Sequence, residues 1–458
     1  MSRADGEGPS LSHAGRSFAS LRMTRGAVTA LLRFAVDIFF RRIEMVGLER
    51  VPAREPVIFA CNHPNGLVDP LFLLCFAPRP VSFLAKAPLF RYPVIGWFVK
   101  AFEGIPVYRK QDNTKGTNAE TFGLARATLQ RGGTIAIFPE GTTHSDPRLR
   151  ELKTGAARIA LGANLAVDVI PTGIYYTAKH VFRSSALVMF GEPIRAAAVA
   201  VDEQGEPPAD EVARLTQAID DGLDRVTLQA DSHAALELIA RAEDIFTADE
   251  DQPLAEELDL RRRFIDGYHY LRERDPARLE KLQSAIIKLE SELRRAKLDV
   301  HELKPEIDLW RLFRVLILLP LAFAGTIVNY PTYRLVGFLA HRFSKGEGAM
   351  IATMKFLGAL GLYPLTYIAL ASLIGWRFGW PLALASLIVF PLLGYIALWA
   401  SEAIDDVIGD LRAMTHRVFR KQAYARLVDA RRAIREEMVK VAEEISSRPV
   451  DESSYSTT

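Results

Sequence analysis

The chain has 458 residues, too many for one ordinary hydrophobic core, and its length predicts two or three structural units. A net charge of only +2 gives no support to a nucleic-acid partner. The two cysteines, Cys61 and Cys75, provide neither a disulfide framework nor a metal-ligand spacing, and they suit a reducing compartment. Hydrophobic residues make up 49% of the chain although 24% are charged, which predicts globular and lipid-buried segments side by side.

The N-terminal 45 residues divide into two segments. Residues 1–20 are polar and rich in Ser and Gly, which predicts disorder rather than a secretory signal. Residues 21–45 contain an apolar stretch in which Arg33 and Asp37, four apart, share one helical face. This pattern favours an amphipathic helix lying in a membrane interface; the alternative is a surface helix packed on its own domain.

Residues 46–200 alternate short apolar runs with helical stretches. The runs are β-branched or aromatic and end at Gly, Pro or Asn, as buried strands do. They are Pro56–Cys61, Val81–Ala85, Thr134–Phe138, Val167–Tyr176 and Ala186–Phe190. Asn118–Gln130 and Leu152–Asn164 have the pattern of helices between them. The prediction is an α/β domain, a largely parallel sheet flanked by helices.

Residues 201–305 predict a helical region. Asp202–Asp210 is acidic and contains Pro and Gly, which is typical of a linker, and Asp210–Gln229 has an amphipathic helical pattern. Leu258–Leu298 is rich in Arg, Glu and Leu. Its irregular heptads leave a helical hairpin and a short coiled coil both open.

Residues 306–401 predict membrane-embedded helices in three apolar segments. Phe356–Gly375 and Pro381–Ala400 carry no charge and are long enough to span a bilayer. Leu312–Asn329 has basic residues on both sides, so it is expected to dip in and return, or to lie in the interface. The alternative is that all three are core helices of a large soluble domain. Residues 402–447 predict an amphipathic helical tail, and residues 448–458 predict a disordered end.

The stretch Asn62–Pro70 directly follows a predicted strand. A histidine at the carboxyl edge of a parallel sheet stands where ligands usually bind, and its imidazole is able to take a proton from an alcohol. Asp69 is the candidate to fix the tautomer of His63, provided that Pro64–Gly66 forms a turn, because six residues of helix would separate the pair. The alternative is a helix-capping Asp and a structural His.

Two further loops carry candidate groups. Phe138–Ser145 also leaves the carboxyl end of a predicted strand, and backbone N–H groups near Gly141 are candidates to receive an oxyanion or a phosphate. The cations Arg109 and Lys153 are candidates to hold a phosphate. The alternatives are an ordinary strand-to-loop turn and solvated surface charges.

Together these stretches resemble the glycerophospholipid acyltransferase superfamily, whose PlsC-like domain carries four ordered motifs. The motifs are His63…Asp69, Gly104…Arg109, Phe138–Gly141 and Val169–Gly173, and the resemblance covers about Val46 to Ile194. It implies an O-acyltransferase in which His63 is the general base and Asp69 its orienting partner. The residues implied or predicted to bind substrate are Asn65, Arg109, Glu140, Gly141, Thr142 and Lys153.

The resemblance also implies the substrates. An acyl thioester of coenzyme A or acyl carrier protein is the expected donor, without metal or other cofactor. The acceptor is glycerol 3-phosphate, dihydroxyacetone phosphate or lysophosphatidate. The five-residue gap between His63 and Asp69, with Thr143 where an Arg is usual, is similar to the fungal branch that acylates the first two. The alternatives are remodelling of another lysophospholipid and a non-catalytic lipid-binding membrane protein.

The same sequence features predict where the protein is found. The expected place is the inner or cytoplasmic membrane, among membrane lipids. The basic stretch Tyr330–Lys355 and the charged tail are expected to face the cytoplasm, together with the catalytic domain.

Overall fold

A computed structural model describes residues 11–108, 117–144, 146, 148–177, 181–227, 233–248, 254–303, 309–344 and 348–447. The chain divides into two compact units. The first, the catalytic unit, comprises Met1–Thr227 and Ser344–Phe356. The second, the helical unit, comprises Leu228–Phe343 and Leu357–Thr458.

The catalytic unit is built on an eight-stranded sheet. Its strands are β1 (Arg42–Val46), β2 (Val57–Cys61), β3 (Val81–Lys86), β4 (Ile105–Val107), β5 (Thr134–Ile137), β6 (Val167–Tyr176), β7 (Ser185–Phe190) and β8 (Ile194–Ala196). The order is β1-β7-β6-β2-β5-β3-β4, with β8 on β6. All pairs are parallel except β6–β7 and β6–β8. The predicted α/β class with a largely parallel sheet is confirmed.

Helices cover both faces of this sheet. They are α1 (Leu11–Phe39), α2 (Val68–Phe76), α3 (Pro93–Ala101), α4 (Asn118–Gln130), α5 (Gly155–Leu161) and α6 (Ala209–Val226). Val57 and Phe59 of β2 pack in one core cluster with α1 and α2. Ile58 and Ala60 pack in the other with α4, α5 and α6. Every residue of β2 is buried, as a central parallel strand requires.

The N-terminal boundaries differ from those that the sequence predicts. Helix α1 starts at Leu11, within the segment 1–20 that the sequence predicts to be disordered, and apolar residues recur at helical spacing there. Residues 1–10 lie outside the described part. The helix predicted for 21–45 ends at Phe39, and Arg42–Val46 is an edge strand. Its two charged residues, Arg42 and Glu44, hide the strand pattern, and an edge position tolerates them.

After α6, the described residues form seven more α-helices. They are α7 (His233–Thr247), α8 (Leu254–Arg274), α9 (Pro276–Ala296), α10 (Leu309–Phe343), α11 (Gly348–Phe378), α12 (Trp380–Phe419) and α13 (Lys421–Ser446). Helices α8 and α9 are joined at Asp275, whose side chain caps α9 by accepting a hydrogen bond from Arg278 N–H. Leu271, Leu279 and Tyr268 pack across this joint, so the hairpin rather than a coiled coil accounts for this stretch.

Three of these helices are long and apolar enough to cross a membrane: Trp310–Phe343, Ile351–Phe378 and Trp380–Phe419. Their most apolar windows are only 22%, 6% and 6% buried, so core helices of a soluble domain do not describe them. The first is one continuous helix through Pro320 and Pro331. Its placement, dipping in and returning or lying in the interface, stays a prediction. The basic stretch 330–355 is helical on both sides of the undescribed residues 345–347.

Helices α10 and α12 pack closely at one glycine. A Cβ at Gly325 would collide with the carbonyl of Leu393 and contact Ala397. One turn further on, Asn329 Nδ2 donates to Gly325 O at 2.9 Å, and Tyr367 of α11 donates to Asn329 Oδ1 at 2.7 Å. Asn329 and Tyr367 therefore satisfy each other's polar side-chain groups within these apolar helices.

Candidate active site

His63 and Asp69 form a hydrogen-bonded pair at the carboxyl end of β2. Nδ1 of His63 lies 2.8 Å from Oδ2 of Asp69. The two meet because residues 62–67 form a turn before α2 starts at Val68, which places Asp69 in the first helical turn. The N–H of Asn65 donates to the same carboxylate oxygen at 2.7 Å and closes the turn. The predicted spacing argument, a turn rather than a continuous helix, is what the structure shows.

Tyr176, at the end of β6, supplies the third partner of Asp69. Its hydroxyl donates to Oδ1 at 2.5 Å, so both oxygens of the fully buried carboxylate accept hydrogen bonds. Burial raises the pKa of Asp69, and the hydrogen bonds from His63, Tyr176 and Asn65 oppose that rise. Burial and the adjacent carboxylate raise the pKa of Tyr176 well above its usual value, which keeps it a donor.

The Asp69 carboxylate fixes the tautomer of His63. An acceptor at Nδ1 favours the proton on that nitrogen, which leaves Nε2 with a lone pair to accept a proton. The imidazole stacks on Phe138 with ring centroids 4.0 Å apart, and its side chain is 15% exposed. His63 is thus oriented on one side, packed on one face and still accessible.

The loop after β5 holds the backbone of His63 from both sides. The N–H of His63 donates to Oε1 of Glu140 at 3.1 Å, and the N–H of His144 donates to the His63 carbonyl at 3.3 Å. The other Glu140 oxygen accepts the imidazole Nε2–H of His144 and the N–H of Arg150. The N–H of Asp146 lies 3.1 Å from His144 Nδ1, which assigns the His144 proton to Nε2. Glu140, predicted to bind substrate, is 3% exposed, and both of its carboxylate oxygens accept the hydrogen bonds that hold the loop to the His63 backbone.

Gly141 and Lys153 lie against each other in the same loop. Gly141 has φ of +69°, and a Cβ there would collide with the Lys153 side chain. Lys153 is exposed, and its backbone N–H donates to Pro139 O at 2.9 Å, which holds this residue against the loop. The N–H of Gly141 itself donates to Phe138 O at 2.9 Å. An anion site formed by backbone N–H groups near Gly141 stays a prediction.

The remaining predicted substrate-binding residues have different positions. Arg109 lies outside the described residues. Thr142 is exposed on the loop that clamps His63. Asn65 is fully buried, and its side chain faces Thr353 rather than solvent. The roles assigned to these residues stay predictions.

Sequence reasoning missed three residues of this site. Asn62 binds the backbone of Ile174 through both amide atoms, Oδ1 at 2.7 Å and Nδ2 at 3.0 Å, and so ties the turn to β6. Tyr176 and His144 are the other two. Tyr176 ends a predicted strand at the sheet edge that carries His63, and Asn62 and His144 stand in the two predicted loops, but none of the three was assigned a role.

The comparisons with known proteins identify both parts of the chain. Residues 42–175 match the family described as Acyltransferase, and residues 245–448 match the family described as Glycerol-3-phosphate acyltransferase 2 C-terminal domain. The chain thus joins an acyltransferase domain to a C-terminal domain of the glycerol-3-phosphate acyltransferase type. The predicted resemblance to glycerophospholipid acyltransferases is confirmed.

Two curated relatives and one solved structure are similar to parts of this chain. An uncharacterized acyltransferase of Schizosaccharomyces pombe is 24% identical, over 84% of this chain and 75% of the relative. Glycerol-3-phosphate O-acyltransferase 1 of Saccharomyces cerevisiae is 26% identical, over 76% of this chain and 61% of the relative. The solved 1-acyl-sn-glycerophosphate (LPA) acyltransferase PlsC of Thermotoga maritima matches 46% of this chain and 88% of its own, with 19% identity and a TM-score of 0.34.

Proposed function

We propose that the protein transfers a fatty acyl group from a thioester to a hydroxyl of glycerol 3-phosphate, with His63 as general base. The observation that carries the proposal is the His63–Asp69 pair, buried on its carboxylate side and accessible on its imidazole side. The match of residues 245–448 to a glycerol-3-phosphate acyltransferase C-terminal domain favours this acceptor over a lysophospholipid.

The geometry supports a direct transfer between the two substrates. Nε2 of His63 takes the proton of the acceptor hydroxyl as that oxygen attacks the thioester carbonyl. Asp69 stabilises the resulting imidazolium through Nδ1–H. The tetrahedral intermediate collapses, the carbon–sulfur bond breaks, and the leaving thiolate takes the proton back from Nε2. The products are an ester and a free thiol, and His63 returns to its starting state.

Lys153 is the described cation best placed for the acceptor phosphate. It is exposed, and it lies beside Gly141 on the loop that clamps His63. An ammonium group binds phosphate as a point charge, so it tolerates acceptors of different length. Arg109 is proposed as a second phosphate ligand on the basis of its motif alone.

The donor and the location complete the proposal. Coenzyme A or acyl carrier protein carries the acyl group, and both are made in the cytoplasm. The catalytic unit is therefore proposed to lie on the cytoplasmic face of the inner or cytoplasmic membrane, with the charged tail on the same side. Protease added to sealed cells should leave the tail intact, and cleavage of the tail under those conditions contradicts this orientation.

The test measures acyl transfer by membranes that contain wild-type protein, His63→Ala or His301→Ala. His301 is an exposed histidine of the helical unit and serves as the matched control. A labelled acyl thioester is offered with glycerol 3-phosphate, dihydroxyacetone phosphate or lysophosphatidate. We expect transfer to glycerol 3-phosphate that falls about 10²- to 10⁴-fold in His63→Ala only, the range for loss of a general base.

Other outcomes of this test have definite meanings. Transfer to lysophosphatidate alone corrects the acceptor and keeps the chemistry. Transfer that survives in His63→Ala removes His63 from its role. No transfer by folded wild-type protein to any of the three directs attention to another lysophospholipid or to a lipid-binding function.

A further inference from the structure

Helix α11 begins inside the catalytic unit. Residues Ser344–Phe356 group with Met1–Thr227, and the rest of the helix groups with the helical unit. Ala352 is fully buried, and Phe356 is 3% exposed in the core cluster that contains α1 and α2. The ring of Phe356 packs edge-on against Phe39, with centroids 5.8 Å apart. This segment lies outside the acyltransferase match and inside the C-terminal match, yet it completes the core of the catalytic unit.

Thr353 is the residue of this segment that contacts the catalytic turn. It is 8% exposed, and its hydroxyl oxygen accepts the N–H of Leu67 at 3.3 Å. The same hydroxyl donates to Oδ1 of Asn65 at 3.5 Å, a longer and weaker hydrogen bond. Leu67 is the N-cap of α2, and the Asn65 N–H binds the carboxylate of Asp69. Thr353 therefore contacts both residues that lead into the helix carrying Asp69.

These contacts give the backbone N–H of Leu67 a hydrogen-bond partner. The first N–H groups of a helix have no partner within the helix, and a buried N–H without a partner is costly. In the structure the partner of the Leu67 N–H is the Thr353 hydroxyl, which lies outside the turn. A hydroxyl that both donates and accepts satisfies Leu67 and fixes the Asn65 side chain at once.

We propose that Thr353 is a positioning residue of the catalytic turn, so that the start of α11 completes the acyltransferase site. Thr353 acts through Leu67 and Asn65 on Asp69 and has no contact with substrate. The activity part of this inference rests on the proposed function; the structural part, that Thr353 holds the turn, does not.

The experiment compares Thr353→Val, Thr353→Ser and Thr366→Val in the full-length protein. Valine keeps the shape and removes the hydroxyl, while serine keeps the hydroxyl. Thr366 is the matched control, because it lies on the same helix and its hydroxyl bonds only within the apolar helices, to Leu362 O and Thr332. Two readouts are taken: hydrogen–deuterium exchange of the peptide containing Leu67, and kcat and KM for glycerol 3-phosphate.

We expect faster exchange at the Leu67 peptide and about a tenfold lower kcat in Thr353→Val, with KM within twofold of wild type. Thr353→Ser should restore both values, and Thr366→Val should change neither. If Thr353→Val does not accumulate in membranes, Thr353→Ala receives the same two measurements.

Unchanged exchange at the Leu67 peptide overturns the proposal even in a protein that shows no transfer. Changed exchange with unchanged kcat, in a protein that His63→Ala inactivates, overturns the positioning role alone. An inactive wild type with changed exchange keeps the structural part and overturns only the proposed function.

Discussion

Tyr176→Phe tests whether the buried side of the His63–Asp69 pair matters for catalysis. The substitution removes one hydroxyl and keeps the ring, which packs against Phe40 and Phe72 with centroids 5.8 and 5.7 Å away. Oδ1 of Asp69 loses its hydrogen-bond donor, while Oδ2 keeps His63 and the Asn65 N–H. The change is therefore confined to one interaction.

A hydrogen bond to a charged group contributes about 1.5–3 kcal/mol, and about 1.4 kcal/mol corresponds to a tenfold change in rate. Because Asp69 keeps two of its three partners, we expect the low end of that range, about a tenfold lower kcat. KM should stay within twofold, since Tyr176 is only 5% exposed and its hydroxyl is directed at Asp69.

The pH dependence of kcat gives a second, independent test of the Tyr176 hydrogen bond. The Tyr176 hydrogen bond lowers the pKa of Asp69, so its removal raises that pKa further. Asp69 supports the imidazolium only as a carboxylate. The acid side of the pH–rate profile should therefore move to higher pH in Tyr176→Phe.

The assay is kcat against pH for wild type, Tyr176→Phe and the exposed control Tyr92→Phe, with protein amount determined in the same membranes. A Tyr176→Phe enzyme with wild-type kcat and an unmoved acid limb would refute the reasoning, because the third partner of Asp69 would then be dispensable.

Three further predictions follow from the loops and the thiols. In Glu140→Gln an amide replaces the carboxylate whose two oxygens both accept N–H groups, so one buried donor loses its partner. Thermal unfolding should show a loss of about 1–3 kcal/mol of stability together with lower activity. An unchanged melting temperature contradicts the role of Glu140 in holding the His63 backbone. Gly141→Ala puts a Cβ at positive φ and against Lys153, the proposed phosphate ligand, so KM for glycerol 3-phosphate should rise. The control is Gly123→Ala, because Gly123 is exposed and a Cβ there meets open space; its KM should rise less. Burial raises the pKa of Cys75 to about 12 and that of Cys61 still higher, so iodoacetamide at pH 8 should label neither before unfolding, and rapid labelling of folded protein shows that the thiols are accessible.

Much of the catalytic unit was predictable because its strands are short apolar runs between turn residues. Val167–Tyr176 and Asn118–Gln130 have the predicted bounds, since burial on both strand faces and a helix-capping Thr117 leave clear signals. Strand β1 was missed because an edge strand keeps its charged residues. Helix α2 was missed because it is buried nearly all round and so shows no polar face.

The candidate site was predictable as motifs but not as contacts. The turn residues between His63 and Asp69 predicted that the two side chains meet, and in the structure they are hydrogen-bonded. Tyr176 and Thr353 lie 107 and 284 residues beyond Asp69, and no local pattern connects residues at such separations. A loop sequence does not reveal which backbone groups are used within its own turn, and the N–H of Gly141 is one of them, since it donates to Phe138 O.

The hydrogen bond between Leu67 and Thr353 also sets an order of events during synthesis. Its partners are 286 residues apart, which at roughly 5–20 residues per second separates their appearance by about 15–60 s. Helix α10 precedes Thr353 in the chain, so the first candidate membrane helix is made before the catalytic turn receives its last partner. A nascent chain that has not yet produced α10 therefore still lacks the hydroxyl that accepts the Leu67 N–H, and its catalytic turn is held by fewer hydrogen bonds than in the finished protein.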